Sequence, residues 1–342
     1  MTPLVEFIMP APTTDKKDRR KITETPKAKF LRKLPEIGID LWNFGGIAPV
    51  FVDVHLLDGD IRADALETIL TASKELDLFS IPVAHIIPVT STSADNATRA
   101  IAARFAKETG NGLCIRIDKS HFADTQLAQH IIDFLEVNAL DIENTDLLVD
   151  LQIVDNAVNS QAVVSQLMRL PELAKWRSFI LSGGSFPKDL THLEVFQTHA
   201  IDRADWRLWQ QILQAQELPR KPIFSDYTVQ HPIFYGYIPG ASVSASVRYT
   251  DDDCWQVFRG QALGYINKKT GAKGPGSKQY LGHAKTIVAQ QFYKGPQYSF
   301  GDAEIQRIAL DVNGKTGNPK NWLCIGINHH LTLVARRASN SP

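Results

Sequence analysis

Six short apolar runs of this 342-residue chain set an ionisable side chain among apolar neighbours: Glu6 in LVEF, Asp53 in FVDV, His85 in VAHI, Arg116 in CIRID, Asp150 in LVDLQ and Asp226 in FSDY. Charges set among strand-forming residues are costly to bury unless they serve one another or a ligand. Three chemistries suit these types. Arg116 can bridge Asp53 and Asp150 in a structural ion network. Glu6, Asp53, Asp150 and Asp226 are hard oxygen donors of the kind that hold magnesium or manganese. Without a metal, a pair such as Glu6 and Asp150 suits acid and base roles in glycoside cleavage. Spacing alone leaves all three open.

A second concentration of polar residues runs from Arg220 to Gly260 and holds Asp226, Tyr227, His231, Arg248, Tyr249, Trp255 and Arg259 between short apolar runs. Arg116, Arg248, Tyr249 and Arg259 are suited to binding a substrate, the arginines by paired hydrogen bonds to phosphate oxygens. Asp150, Asp226, Tyr227 and His330 are the candidates for catalysis, because histidine titrates near neutrality and carboxylates serve as bases. GAKGPGSK at 271–278 places Ser277 before Lys278, the reverse of a phosphate-loop order. SFGD at 299–302 reads as a helix cap with Ser299 as acceptor.

The elements that must position these residues follow from the apolar pattern. PLVEFIMP, APVFVDVHLL, IPVAHIIPV, GLCIRID, DLLVDLQIV, SFILSGG and PIFSDY read as seven buried parallel strands. Helical periodicity lies between them, as in ATRAIAARFAKETG, which ends on Gly110 where a C-terminal cap wants glycine. The strand starts at 49, 81, 113, 147 and 178 are evenly spaced, the rhythm of repeated βα units. The pattern predicts a TIM-barrel-like (β/α) barrel, with residues 13–36 as an exposed loop that carries one helical run near Ala28 to Leu34. A period of two would then point all six ionisable residues into the barrel. No glycine-rich dinucleotide fingerprint follows an early strand, so neither nicotinamide nor flavin is expected.

Past Tyr227 the pattern changes to an antiparallel hairpin, SASVRYT and CWQVFRG, then two helices and a last strand, WLCIGINHHLTLV, across which His329 and His330 alternate. Residues 1–232 are expected to form the barrel core and 233–342 to pack on it within one domain. A closed barrel wants eight strands and seven are visible, so either the first strand is missing, the last strand fills the gap, or the sheet is open at that seam.

Lysine plus arginine balance aspartate plus glutamate at 37 each, so net charge gives nucleic-acid binding no support. Cys114, Cys254 and Cys324 are scattered and odd in number, which suits a reducing cytoplasm better than a disulfide or zinc framework. PLVEFIMP is too short and too acidic for a signal peptide or membrane span, and the chain is expected to be soluble and cytoplasmic.

In order, PLVEF, FVDV, IPV, CIRID, DLLVDL, FILSGGSFP, RADWRLW, FSDYTVQHP, VRYTDDDCWQVFRG, YSFGDAEI and GNPKNWLCIGINHHL resemble the beta-protein family named after a T-even bacteriophage protein. The resemblance covers almost the whole chain. It implies a barrel-like α/β protein with a setting in phage biology or phage defence. The family's recurrent positions fall on Glu6, Asp53, Arg116, Asp150, Asp226, Tyr227, Arg248, Tyr249, Arg259, Asp302 and His330. Its members usually open with a strand and helix before the PLVE-like segment, which here begins at residue 3.

The leading expectation is a metal-assisted hydrolase or phosphotransfer enzyme acting on a phosphorylated or nucleotide-like substrate, with magnesium or manganese held by Glu6, Asp53, Asp150 and Asp226. The alternatives are a non-catalytic recognition protein that binds a phage or host component, and a metal-independent glycosidase-like hydrolase.

Overall fold

The computed structural model describes residues 2–15, 18, 21–45, 48–74, 85–238, 242–311 and 313–340. Within them the chain forms strands β1 (Leu4–Glu6), β2 (Thr13–Thr14), β3 (Ile22–Glu24), β4 (Val50–Asp53), β5 (Ile86–Thr90), β6 (Leu113–Asp118), β7 (Thr145–Ile153), β8 (Ser178–Gly184), β9 (Thr198–Asp202), β10 (Ile223–Asp226), β11 (Val247–Asp251) and β12 (Cys254–Phe258). The helices are α1 (Pro26–Lys33), α2 (Ile37–Gly45), α3 (Gly59–Lys74), α4 (Asn96–Thr109), α5 (Leu127–Val137), α6 (Ser160–Leu167), α7 (Ala204–Leu213), α8 (Gln279–Val288), α9 (Phe300–Leu310) and α10 (Pro319–Ser339).

The expected parallel strands form one sheet in the order β1-β4-β5-β6-β7-β8-β10, every neighbouring pair parallel. Residues 81–84, where the third strand was expected to begin, lie outside the described residues. Among the described residues β1 pairs with β4 alone and β10 with β8 alone, so the sheet is a half-barrel left unclosed between its first and last strands. One face packs its valines, leucines and isoleucines against the helices in the main core. The other, inner face gathers Leu4, Phe51, Ile87, Val89, Cys114, Leu148 and Ile180 into a smaller apolar cluster. By the period of two, Glu6, Asp53, Arg116, Asp150 and Ser182 continue that inner face toward the C-terminal ends of the strands.

Local chemistry explains the boundaries. Asp95 caps α4 by accepting from the Thr98 N–H, and Gly110 ends it with φ +68°, a left-handed conformation open to glycine. Among the described residues of 13–36, β2 and β3 pair as a short hairpin that was not expected, while the expected helical run near Ala28 to Leu34 is α1, capped by Thr25 with Pro26 in its first turn.

Strands β11 and β12, the expected hairpin, and the earlier β9 form a separate antiparallel sheet with β12 at its centre. The expected last strand is a helix instead. In α10 the Asn318 side chain and that of Asn321 cap each other's backbone reciprocally, and Pro319 sits in the first turn. Trp322, Ile325, Gly326, His329, His330, Leu333 and Val334 are its buried residues, a three- and four-residue spacing that makes one helical stripe. The seam is therefore not filled by a C-terminal strand. No helix among the described residues is long and apolar enough to cross a membrane.

Candidate functional site

Arg116, on the central strand of the sheet, collects the inner-face charges. Its Nη1 donates to Glu6 Oε1 at 2.7 Å and Asp53 Oδ2 at 2.8 Å, and lies 3.1 Å from His55 Nδ1. Its Nη2 donates to Asp150 Oδ2 at 2.6 Å and to the Tyr227 hydroxyl at 3.0 Å, and that hydroxyl in turn donates to Asp150 Oδ2 at 2.6 Å. Glu6 is on the first strand and Tyr227 directly follows the last, so one guanidinium ties together residues from both edges of the half-barrel. The strands end alike. Asp53 Oδ1 accepts from the His55 N–H, Asp150 Oδ1 from Gln152 N–H and Asp226 Oδ1 from Thr228 N–H, each a carboxylate turning its own chain out of the sheet.

The electrostatics follow from burial against pairing. Burial alone would raise the Asp53 carboxyl, but the hydrogen bond and charge of His55 and the charge of Arg116 outweigh it and pull it down to about 2. Burial pulls against the Arg116 charge as well, and the Asp150, Asp53 and Glu6 carboxylates more than offset it. Burial and the neighbouring Asp150 push the Tyr227 hydroxyl well above its ordinary range, which keeps it a donor.

Beside this network, at the C-terminal ends of β4, β5, β6 and β7, lies a cavity of about 170 Å³. Asp53, His55, Arg62, Ser93, Arg116 and His121 are among its lining residues. In parallel α/β sheets and barrels this edge is where ligands act, because the loops that follow the strands converge there. Gln152 also lines it and takes φ +53°, a conformation non-glycine residues seldom hold. Thr90 Oγ1 and Arg62 Nε, buried on the same wall, find no hydrogen-bond partner among the described residues.

Asp226 is in a different place from the other acids. Ser225 is the register partner of Ser182, which pairs with Asp150, so Asp226 faces outward with Phe224, which packs on Trp206 and Trp209. There Asp226 meets Arg203 Nη2 at 2.6 Å and His330 Nε2 at 2.9 Å, while His330 Nδ1 lies 2.8 Å from Thr250 Oγ1. Burial raises the Asp226 carboxyl, but His330 and Arg203 overcome that and hold it low; its neighbour Asp205 is raised by burial and by Asp226 itself. Arg203 is fully buried, with the rings of Trp206, Phe224 and Trp255 within 5.3 to 5.6 Å of its guanidinium carbon.

The remaining sequence candidates sit in the C-terminal layer. Tyr249 is fully buried and donates to Asp302 Oδ1 at 2.9 Å, stacked 3.9 Å from the His329 ring. Ser299 caps α9 as expected, and His329 bridges Asp302 and the Thr250 carbonyl. Arg248 donates to the Val229 carbonyl at 2.6 Å and stands over the Phe186 ring, and burial pulls its guanidinium down to about 10. Arg259 donates to the Leu190 and Gly260 carbonyls and to Ser246 Oγ. The structure thus brings Glu6, Asp53, Arg116, Asp150 and Tyr227 together at the mouth, and gathers Asp226, Arg248, Tyr249, Arg259 and His330 elsewhere. The expected four-acid metal shell is split accordingly.

Among the described residues one group could hold a cation: ligand atoms of Glu6, Asp53 and His55 lie within 4.8 Å of one another. The Arg116 guanidinium already donates to both of those carboxylates, so a metal there would have to displace it. The cavity residues His55, Arg62, Ser93, Asp118 and His121 were missed in the sequence. The available signal was position: VDVH, VTSTS and RIDKSH put polar residues directly after strand ends. No curated protein and no solved structure matches the chain. The family model described as Beta protein matches residues 1–336, and the chain belongs to the Beta protein family.

Proposed function

We propose that this protein is a hydrolase of a small polar substrate, working in the cavity at the C-terminal ends of β4 to β7, and that its sheet is seven strands of a (β/α) barrel. The observation that carries the reading is the cavity itself: a space of about 170 Å³ walled by histidines, arginines, serines and carboxylates. Polar groups converging on a concave site are what a ligand-binding pocket offers. The volume suits a small molecule or one end of a larger one. Arg116 fixes the carboxylates beside it, and its two terminal nitrogens are engaged by acids and Tyr227. Arg62 is the other arginine that lines the cavity, there to meet an anionic substrate. The test is turnover of a panel of small carboxylic, phosphate and glycosyl esters by the purified protein, with Asp150→Asn as control. Hydrolysis of at least one class supports the reading; a protein inert on all of them overturns it.

A metal-assisted version is a second reading, favoured by the convergence of Glu6, Asp53 and His55. It requires Arg116 to swing off Glu6 and Asp53 when magnesium or manganese enters. A ligand that binds only the folded state raises the melting temperature by mass action. A manganese-dependent rise in the wild type that is lost in Asp53→Asn would select this version over the metal-free one.

A further inference from the structure

We propose that Ser93, His121 and Asp118 form a nucleophile–base–carboxylate relay that cleaves small carboxylic esters in the cavity at the C-terminal ends of β4 to β7. This rests on the hydrolase reading and names its nucleophile and substrate class.

Ser93 Oγ lies 2.9 Å from His121 Nε2, and His121 Nδ1 lies 2.9 Å from Asp118 Oδ1. All three residues line the same cavity. They come from different loops: Ser93 follows β5, Asp118 ends β6, and His121 sits in the short 3-10 turn after it. Serine, histidine and carboxylate in this chain of contacts are the parts of an activated nucleophile, recognised by geometry and not by order in sequence. The turn is held from outside, since Arg169 donates to the Phe122 carbonyl at 2.7 Å and the Asp124 carbonyl at 2.8 Å.

The Asp118–His121 contact also serves as a capping box of that turn, in which the Asp118 N–H donates to His121 Nδ1 at 3.2 Å. A cap uses Nδ1 alone. It does not account for the contact of Nε2 with a serine 28 residues earlier on another loop. Asp118 is held well below the ordinary carboxylate range, first by His121 and then by Ser120. The relay uses the tautomer in which Nδ1 carries the hydrogen toward this carboxylate, which only accepts, and in it the Asp118 N–H gives up its bond to Nδ1. Nε2 is then free to take the Ser93 proton. Ser91 Oγ, 3.1 Å from Ser93 Oγ, steadies the hydroxyl.

The steps balance with water as the co-reactant. Ser93 Oγ attacks the ester carbonyl carbon as its proton passes to His121 Nε2, and the carbonyl π pair moves onto oxygen. Collapse breaks the bond to the alcohol, which leaves with the proton from His121, and Ser93 is acylated. Water, deprotonated by His121, then releases the carboxylic acid and restores Ser93.

A fluorophosphonate probe tests the relay, since serine attack on phosphorus expels fluoride and leaves a stable adduct. Wild-type protein is expected to carry the adduct on Ser93 by peptide mass spectrometry and to hydrolyse p-nitrophenyl acetate. Ser93→Ala should lose both. His121→Gln and Asp118→Asn, with unchanged circular dichroism, should slow both by roughly 10²-fold or more. Wild-type protein without an adduct on Ser93, or an adduct formed as fast in His121→Gln, would overturn the relay. If the adduct is absent but other esters are turned over in an Asp150-dependent way, the relay fails and the hydrolase reading stands. If neither is seen, both fail.

Discussion

Removing one partner from a buried charge cluster leaves the others without compensation, and Arg116 is the partner that Glu6, Asp53 and Asp150 share. Arg116→Met is expected to cost about 3–5 kcal/mol of folding stability, read from urea unfolding. Tyr227→Phe removes a single donor to Asp150 and should cost about 1–3 kcal/mol. The Asp53 carboxyl, held at about 2 in the folded chain, lies below its unfolded value of about 3.9. A depressed carboxyl stabilises the fold above its unfolded value, and the benefit is lost as the pH falls from about 4 toward 2. Unfolding curves of wild type and Asp53→Asn should therefore converge through that window; curves that stay parallel would contradict the assignment. At this scale the sequence was legible where period decided the face: Glu6, Asp53, Arg116 and Asp150 do meet. Asp226 was misread because its strand is offset by one residue in register, and register comes from strand pairing that local sequence does not encode.

The seven parallel strands could be read from their apolar runs, and the helix α4 from its glycine stop, because both signals are local. The helix α10 was read as a strand because LCIGINHHLTLV is apolar and rich in β-branched residues, and its helical stripe shows only when Trp322, Ile325, Gly326, His329 and Leu333 are counted together. The asparagine and proline ahead of it, Asn318 and Pro319, were the start signal passed over. Close approach between α9 and α10 uses glycine: a Cβ on Gly301 would stand 2.4 Å from the Ile325 carbonyl oxygen, which belongs to rigid helix backbone. Gly301→Ala is expected to destabilise by about 1–3 kcal/mol in thermal or urea melts, and a neutral result would show that the two helices can separate without cost.

Across the whole molecule the half-barrel and the C-terminal layer are joined through buried groups. His330 of α10 holds Asp226 of the sheet, and Phe186 and Leu190 pack with Val229, Trp255 and Val257. Strand β9 lies before residue 232 yet pairs with β12, so a chain ended at 232 would strip β9 of its partner and leave Arg203 and Asp226 uncovered. That fragment is expected to be insoluble or unfolded by circular dichroism, while a folded fragment would mean the half-barrel stands alone. That 233–342 packs on the barrel was expected from the sequence, but the residues that make the joint were not legible, because Asp226 and His330 are 104 residues apart. The central claim is that the cavity at the C-terminal ends of β4 to β7 is where the chemistry happens, and it is tested most directly by filling that space. Ala94 lines the cavity and belongs to neither charge network. Hydrolysis of the ester panel by wild type and by Ala94→Trp, with melting temperatures measured alongside, is the measurement to make. The account expects wild-type turnover that falls at least tenfold in Ala94→Trp at an unchanged melting temperature, whereas full activity in the filled variant, or none in the wild type, would contradict it.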